Sequence, residues 1–217
     1  MPSRYSSCAG TTATTRYLAR EFFERPPDDV AHDLVGVTLA VTTADGLLLA
    51  RIVETEAYGG SDDPASHAFR GPTPRCAVMF GPAGHLYVYR SYGVHWCMNV
   101  VTEEPGTASA VLLRGAEIVT PRPLATGASP TATVLKGPGN LTRGLGVNGH
   151  DNGADCVGAP PGRFRFVASA ADDGMAVECS ARVGLSRARE RTSRYFLEGH
   201  PAVSRHPRYA SGSIGSV

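Results

Sequence analysis

Two carboxylates, Glu54 and Glu56, stand two residues apart at the end of the apolar run 47–56. In extended backbone, residues i and i+2 share a face, so both project to one side of a sheet. Neighbouring carboxylates repel, and one is driven toward its protonated form unless a cation compensates; such perturbed pairs cluster at active sites. The chemistry open to them is general acid or base work. The candidate cation is Arg114, which ends the run Ala110-Val111-Leu112-Leu113. It is either a strand-end residue reaching water or a buried partner for a carboxylate, and composition does not choose between the two. The third element is aromatic: residues 87–99 hold Tyr87, Tyr89, Tyr92, His95 and Trp96. Tyrosines here read by default as cross-strand packing. Tyr92, however, falls at a turn beside Gly93, where an exposed ring gains nothing unless something covers it.

Other chemistries are disfavoured. The chain lacks G-x-S-x-G, H-E-x-x-H, a phosphate-binding G-x-x-x-x-G-K-[ST] and a G-x-G-x-x-G after a strand, which argues against a serine hydrolase, a zincin and a nucleotidase. Five cysteines, Cys8, Cys76, Cys97, Cys156 and Cys179, are odd in number and form no C-x-x-C pair, so neither a disulfide framework nor a zinc site is expected and the thiols read as reduced and buried. No apolar run of about 18 residues is present to span a bilayer, and residues 1–15 are polar without the apolar core of a signal peptide, so a soluble intracellular protein is expected.

The elements that must carry these residues follow from pattern. With 25 glycines and 16 prolines in 217 residues, the composition suits short strands, tight turns and a few helices. Leu18, Phe22 and Phe23 mark a short helix over 17–24, broken by Pro26-Pro27; Asp28 and Asp29 open a second through Leu34. Strands are expected at 35–43 and 47–56, joined by the hairpin signal Ala44-Asp45-Gly46. A loop over 59–75 precedes an antiparallel meander at 85–90, 94–102 and 108–114. A surface loop over 119–133, a helix within 137–146 and strands at 164–168, 175–179 and 195–198 complete the reading. The net charge of +1 hides an asymmetry: residues 1–110 carry a balance of −4 and residues 111–217 one of +5. Arg182, Arg187, Arg189, Arg191 and Arg194 form the densest basic stretch, either a phosphate track or an ordinary solvated face.

Taken together, Val53-Glu54-Thr55-Glu56-Ala57-Tyr58, Asp63-Pro64-Ala65-Ser66-His67, Thr73-Pro74-Arg75, Leu86-Tyr87-Val88-Tyr89, Tyr92-Gly93, Cys97-Met98-Asn99, Val111-Leu112-Leu113-Arg114, Gly137-Pro138-Gly139, Ala181-Arg182-Val183-Gly184 and Gly199-His200-Pro201 closely resemble the alkyladenine (3-methyladenine) DNA glycosylase family. The resemblance runs from about Leu18 to about Ser204. It implies a single mixed α+β domain over 16–206, a curved antiparallel sheet surrounded by short helices and loops, with a disordered tail at 1–15 and a flexible one at 207–217. It implies a monofunctional enzyme of base excision repair, which flips alkylated or deaminated purines out of double-stranded DNA and hydrolyses the N-glycosidic bond. By that resemblance Glu56 is the general base and Arg114 positions the water. Tyr58 stacks on one face of the base, with His67 and Tyr89 on the other. Tyr92 is the intercalating wedge, and Asn99 at the pocket floor crowds the 2-amino group of guanine and so discourages attack on normal DNA.

No metal or organic cofactor is implied, and a monomer is expected, acting at the nucleoid in a bacterial cytoplasm, the favoured reading, or in the nucleus of a eukaryote. Lys136 is the only lysine and lies far from Glu56 in sequence, so hydrolysis without strand scission is expected. Arg90, Asn140 and Gly71-Pro72 depart from the family pattern in places that bear on DNA contacts. A noncatalytic damaged-DNA binding module and a hydrolase of another glycosidic or small-molecule bond are the competing readings; the retention of Glu56 and Arg114 disfavours one, and the wedge tyrosine has no purpose in the other.

Overall fold

The computed structural model describes residues 5–7, 16–119, 134–168 and 176–205. In chain order these form β1 (Tyr5–Ser7), β2 (Arg16–Leu18), α1 (Arg20–Phe23), α2 (Pro27–Leu34), β3 (Thr38–Thr43), β4 (Gly46–Tyr58), β5 (Leu86–Ser91), β6 (His95–Thr102), β7 (Ser109–Ile118), β8 (Val134–Lys136), α3 (Pro138–Leu145), β9 (Phe164–Val167), β10 (Val177–Ser180) and β11 (Arg194–Leu197). The strands make one curved sheet in the order β1-β2-β9-β3-β4-β7-β6-β5, with β8 added to β7, and β11, carrying β10, added to β4. Among the described residues no helix is long and apolar enough to cross a membrane.

The three helices cover one face of this sheet. Phe23 of α1, Val30, Ala31 and Leu34 of α2, and Leu141 and Leu145 of α3 pack with Leu39, Ile52, Met98, Val111 and Phe166 in one apolar core. Proline starts both longer helices, where its missing N–H costs nothing, and Gly146 closes α3 in the left-handed conformation. The opposite face of β5–β7 carries a smaller cluster, Ala68, Cys76, Met79, Tyr87, Val101 and Ala110, under the loop that follows β4.

β4 is the spine, pairing with β3, β7 and β11. Its register with β7 slips between Ile52 and Glu54 and again between Glu54 and Thr55. The slip shows in the side chains. Leu48, Ala50 and Ile52 face the main core, but beyond the slip it is Ala57 that does, along with Thr55, whose hydroxyl donates to the Ala31 carbonyl of α2 at 2.8 Å. β7 changes parity at the same place, from Val111 and Leu113 to Ala116 and Ile118. Such an irregularity re-aims side chains, and here Glu54 and Arg114 lie at it.

Several expectations change. Tyr17 and Leu18 are not helical; they belong to β2, and α1 is confined to Arg20–Phe23. Strand β3 begins at Thr38 because Gly36, at φ +90, and the Val37–Leu34 hydrogen bond close the end of α2 in a turn. β4 runs on to Tyr58 and β7 to Ile118. Tyr5–Ser7, from the expected tail at 1–15, pairs with Arg16–Leu18. Residues 120–133 of the expected surface loop, Met175, Cys8 and everything after Arg205 lie outside the described residues. Cys76, Cys97 and Cys156 are buried free thiols, whereas Cys179 is exposed.

Candidate active site

One cross-strand row runs over the sheet face opposite the main core. Tyr87 pairs with Asn99, Asn99 with Leu112, Leu112 with Glu56 and Glu56 with Arg194. Residues directly opposite in a ladder project to the same side, so one row places Asn99 and Glu56 on the same surface, separated by a leucine.

Glu56 is fully buried. Its Oε1 accepts from the Val183 amide at 2.6 Å, and its Oε2 from the Tyr58 hydroxyl at 2.8 Å and from Nη1 of Arg114 at 3.2 Å. Arg114, itself buried, also donates through Nε to Glu54 Oε1 at 3.2 Å. The choice left open by the sequence is therefore settled: Arg114 is a buried partner for both carboxylates. Burial works against its charge, but Glu56 and Glu54 more than restore it and hold its pKa above the ordinary value. Glu54, also fully buried, further accepts from Nε of Arg194 at 2.7 Å and from the Ser204 amide at 2.8 Å. Burial pushes its carboxyl upward, but Arg114, Arg194 and the Ser204 amide outweigh this and hold it below the usual carboxylate range. Gly115 makes room for this arrangement: a Cβ there would stand 2.5 Å from the Ala202 carbonyl, so only glycine lets the segment bearing Ser204 come this close.

Tyr58 follows Glu56 by two residues and shares its face. Burial, then Glu56, pushes its phenol well above the ordinary tyrosine value, so it remains a donor to the carboxylate at any working pH. One face of its ring is covered by Arg182, whose Cζ lies 4.6 Å from the centroid. Arg182 is buried; its Nη1 and Nη2 meet Asp63 at 2.5 and 2.9 Å, and Nη1 also donates to the Ala57 carbonyl at 2.9 Å. Asp63 in turn accepts from the amides of Gly59 and Ala65, both at 3.1 Å. It thereby fixes the loop that bears His67.

His67 and Tyr89 meet edge to face with centroids 4.6 Å apart, and His67 Nδ1 is hydrogen-bonded to the Tyr87 hydroxyl at 2.9 Å. Burial, reinforced by Arg75, lowers the His67 pKa, which keeps the imidazole neutral. Burial lifts Tyr87 to about 12. Asn99 is buried and donates to the Tyr87 carbonyl at 2.9 Å. The structure thus brings Glu56, Arg114 and Tyr58 into direct contact, brings His67 and Tyr89 into a second contact, and sets Asn99 in the row with Glu56.

Tyr92 touches none of them. It caps the β5–β6 hairpin, 95 % exposed, with Val94 beside it 76 % exposed. The turn closes through the Val94 amide and the Ser91 carbonyl, and both central residues have positive φ, 47° at Tyr92 and 69° at Gly93. These are the signs of a type I′ turn, natural for glycine and strained for a bulky residue. Arg90, exposed, lies with its Cζ 5.9 Å from the Trp96 centroid. Asn140 bridges the Lys136 carbonyl and Arg143. Lys136, distant from Glu56 in sequence, is paired through β8 with Gly115, the neighbour of Arg114.

The basic stretch divides. Arg182 and Arg194 are buried against Asp63 and Glu54, and Arg191 pairs with Asp62, so of the five only Arg187 and Arg189 remain as an outward basic face. The sequence reading missed Val183, Arg194, Ser204 and the Asp63–Arg182 pair as parts of the site. Their partners are 119 to 150 residues away, and the recurrence of Asp63 and Arg182-Val183 within family-like segments was the one available signal.

The family described as "Methylpurine-DNA glycosylase (MPG)" matches residues 21–201. Similar proteins, each named "Putative 3-methyladenine DNA glycosylase", include one from Frankia casuarinae, 46 % identical over 87 % of this chain and 93 % of its own length. Another, from Agrobacterium fabrum, is 46 % identical over 87 % and 92 %. A third, from Streptomyces avermitilis, is 41 % identical over 86 % and 90 %. With Glu54, Glu56, Asp63, Arg114, Arg182 and Arg194 all inside the match, the chain belongs to the methylpurine-DNA glycosylase family, hydrolases of N-glycosyl bonds.

Proposed function

We propose that this protein flips alkylated or deaminated purines, such as 3-methyladenine, 7-methylguanine and hypoxanthine, out of double-stranded DNA and releases them by simple hydrolysis. Glu56 accepts a proton from a water that attacks C1′, while Arg114 orients that water. Cleavage of this bond passes through an oxocarbenium-like sugar, so a carboxylate beside C1′ both generates the nucleophile and offsets the growing positive charge. Tyr58 stacks on one face of the base, His67 and Tyr89 on the other, and Asn99 crowds the 2-amino group of guanine, which disfavours attack on undamaged guanine. Tyr92 fills the gap in the duplex; extrusion costs a few kcal/mol, less for a base that already pairs poorly. The protein works as a monomer in the bacterial cytoplasm and needs no cofactor.

The observation that carries this reading is the fully buried Glu56, held by three donors beside the half-buried Tyr58 ring. Burying a carboxylate is costly unless it is paired and hydrogen-bonded. Three carboxylates, Glu54, Glu56 and Asp63, are matched here by Arg114, Arg182 and Arg194. The test is release of hypoxanthine or methylated purine from duplex oligonucleotides, read as alkali-labile sites. The wild-type chain is expected to produce them and Glu56→Gln is not. Tight binding of damaged duplex without base release by the wild type would make the protein a binding module instead.

A further inference from the structure

We infer that guanidinium groups on the aromatic pocket walls bias this enzyme toward neutral purines and against cationic ones: Arg182 acts through the Tyr58 ring, and Arg75 through Tyr89. The inference rests on the reading of Tyr58, His67 and Tyr89 as the walls that hold the extruded base.

An aromatic face attracts a cation because its π-cloud is electron-rich. A purine carrying a ring methyl group at N3 or N7 is a cation, and hypoxanthine is neutral, so bare tyrosine walls favour the alkylated base. Here the walls are not bare. The Arg182 Cζ lies 4.6 Å from the Tyr58 centroid, and that of Arg75 5.3 Å from the Tyr89 centroid. A cation already on one face draws the π-density toward itself and repels a second cation on the other face across the thickness of the ring. Asp63 pairs with Arg182, but the charge that lies on the ring is that of the guanidinium. Arg182 is buried, where water screens little. Arg75 is exposed, so its contribution is the smaller of the two. The third wall does not restore the attraction, because burial and Arg75 both disfavour a charged His67.

The two arginines lend themselves to different substitutions. Arg75→Gln alters an exposed residue and leaves the core intact. Arg182 cannot be changed alone without stranding the Asp63 carboxylate, so Asp63→Asn with Arg182→Gln replaces the ion pair by a neutral amide pair. Each change is made in the Glu56→Gln background, which blocks turnover. Affinity is measured for three duplexes of one sequence carrying hypoxanthine, 7-methylguanine or no damage. Dividing each damaged-duplex affinity by the undamaged one cancels any lost phosphate contact. Removing either guanidinium is expected to shift the preference toward 7-methylguanine, by about twofold to fivefold for Arg182 and by less for Arg75. A merely structural role weakens both damaged duplexes alike and leaves their ratio unmoved. An unchanged or reversed ratio in both variants overturns the inference. If the paired substitution does not fold, Arg75→Gln decides alone, and an unchanged ratio there overturns it. Tyr58→Leu separates this from the underlying reading: if it binds both damaged duplexes as tightly as its parent, the wall assignment itself fails. If it weakens both while the arginine variants keep the parent ratio, only the charge bias fails.

Discussion

Arg194 stands directly opposite Glu56 in the strand ladder, yet its Nε donates to Glu54 at 2.7 Å. The diagonal choice makes the two carboxylates unequal. Glu54 holds two arginines and an amide from the 200–204 segment; Glu56 holds one arginine, one phenol and one amide. Glu54 is the anchor of the buried charge network, and under the proposed function Glu56 is the member left for chemistry.

Glu54→Gln is expected to destabilise the fold by roughly 3–5 kcal/mol, since it leaves Arg114 and Arg194 short of a buried counter-charge. Urea unfolding measures it. Combined with Arg194→Gln, the loss should fall short of the sum of the two single losses, because the residues share one network; full additivity would show that the pair is not coupled.

Stability should fall in acid. Burial works to raise Glu54 and Asp63, but their arginine and amide partners prevail and hold both below the usual carboxylate range. A depressed folded-state pKa contributes stability that is complete above the unfolded values, about 4.3 for Glu and 3.9 for Asp, and is lost as pH falls through the folded ones. The urea midpoint should therefore be flat from pH 7 to about 5 and drop below about 4. In Glu54→Gln the drop should be shallower, and an identical drop would assign the acid sensitivity elsewhere.

Tyr92→Gly should separate stability from function. Relieving a bulky residue of positive φ is expected to stabilise the fold by about 1 kcal/mol. Base release from duplex should slow while release from single strands is spared, because only the duplex leaves a gap to fill. Equal slowing on both substrates would remove Tyr92 from the wedge role.

Arg90→Ala should lower the slope of log affinity against log salt by about 0.9 if this exposed side chain contacts one phosphate. Fluorescence anisotropy between 50 and 200 mM salt, about the range in which such slopes are resolved, measures it. An unchanged slope assigns Arg90 to packing on Trp96 alone.

Borohydride should trap no enzyme–DNA adduct. The pairing of Lys136 with Gly115 brings the sole lysine nearer the carboxylates than its sequence position suggests, so trapping of the wild type but not of Lys136→Ala would identify a Schiff-base route instead of hydrolysis.

The sheet was legible where period and turn chemistry agree: the β3–β4 hairpin across Ala44-Asp45 and the β5–β6–β7 meander fall within a few residues of expectation, β7's extension to Ile118 apart. Tyr17 and Leu18 misled because a three-residue strand and a four-residue helix share one short apolar stretch, too short for either period to declare itself. In the site, Glu54 and Glu56 were visible from their i, i+2 spacing. The slip that seats Glu54 against Arg114 was not, because a register irregularity is a property of two strands. Arg182 and Arg194 looked like surface charge for the same reason: a basic run does not reveal that its first and last members turn inward to carboxylates more than a hundred residues away.

The ladder that joins Asn99, Leu112 and Glu56 also works as a gauge. Two strand spacings, roughly 10 Å, separate the backbone of the outer members, and hydrogen bonds along β6, β7 and β4 lock that span. No exchange of side chains on these strands can stretch it. In the proposed site the 59–75 segment that carries His67 is the wall borne by a loop and not by the sheet, so a change in the size of base accepted is expected to come from that segment.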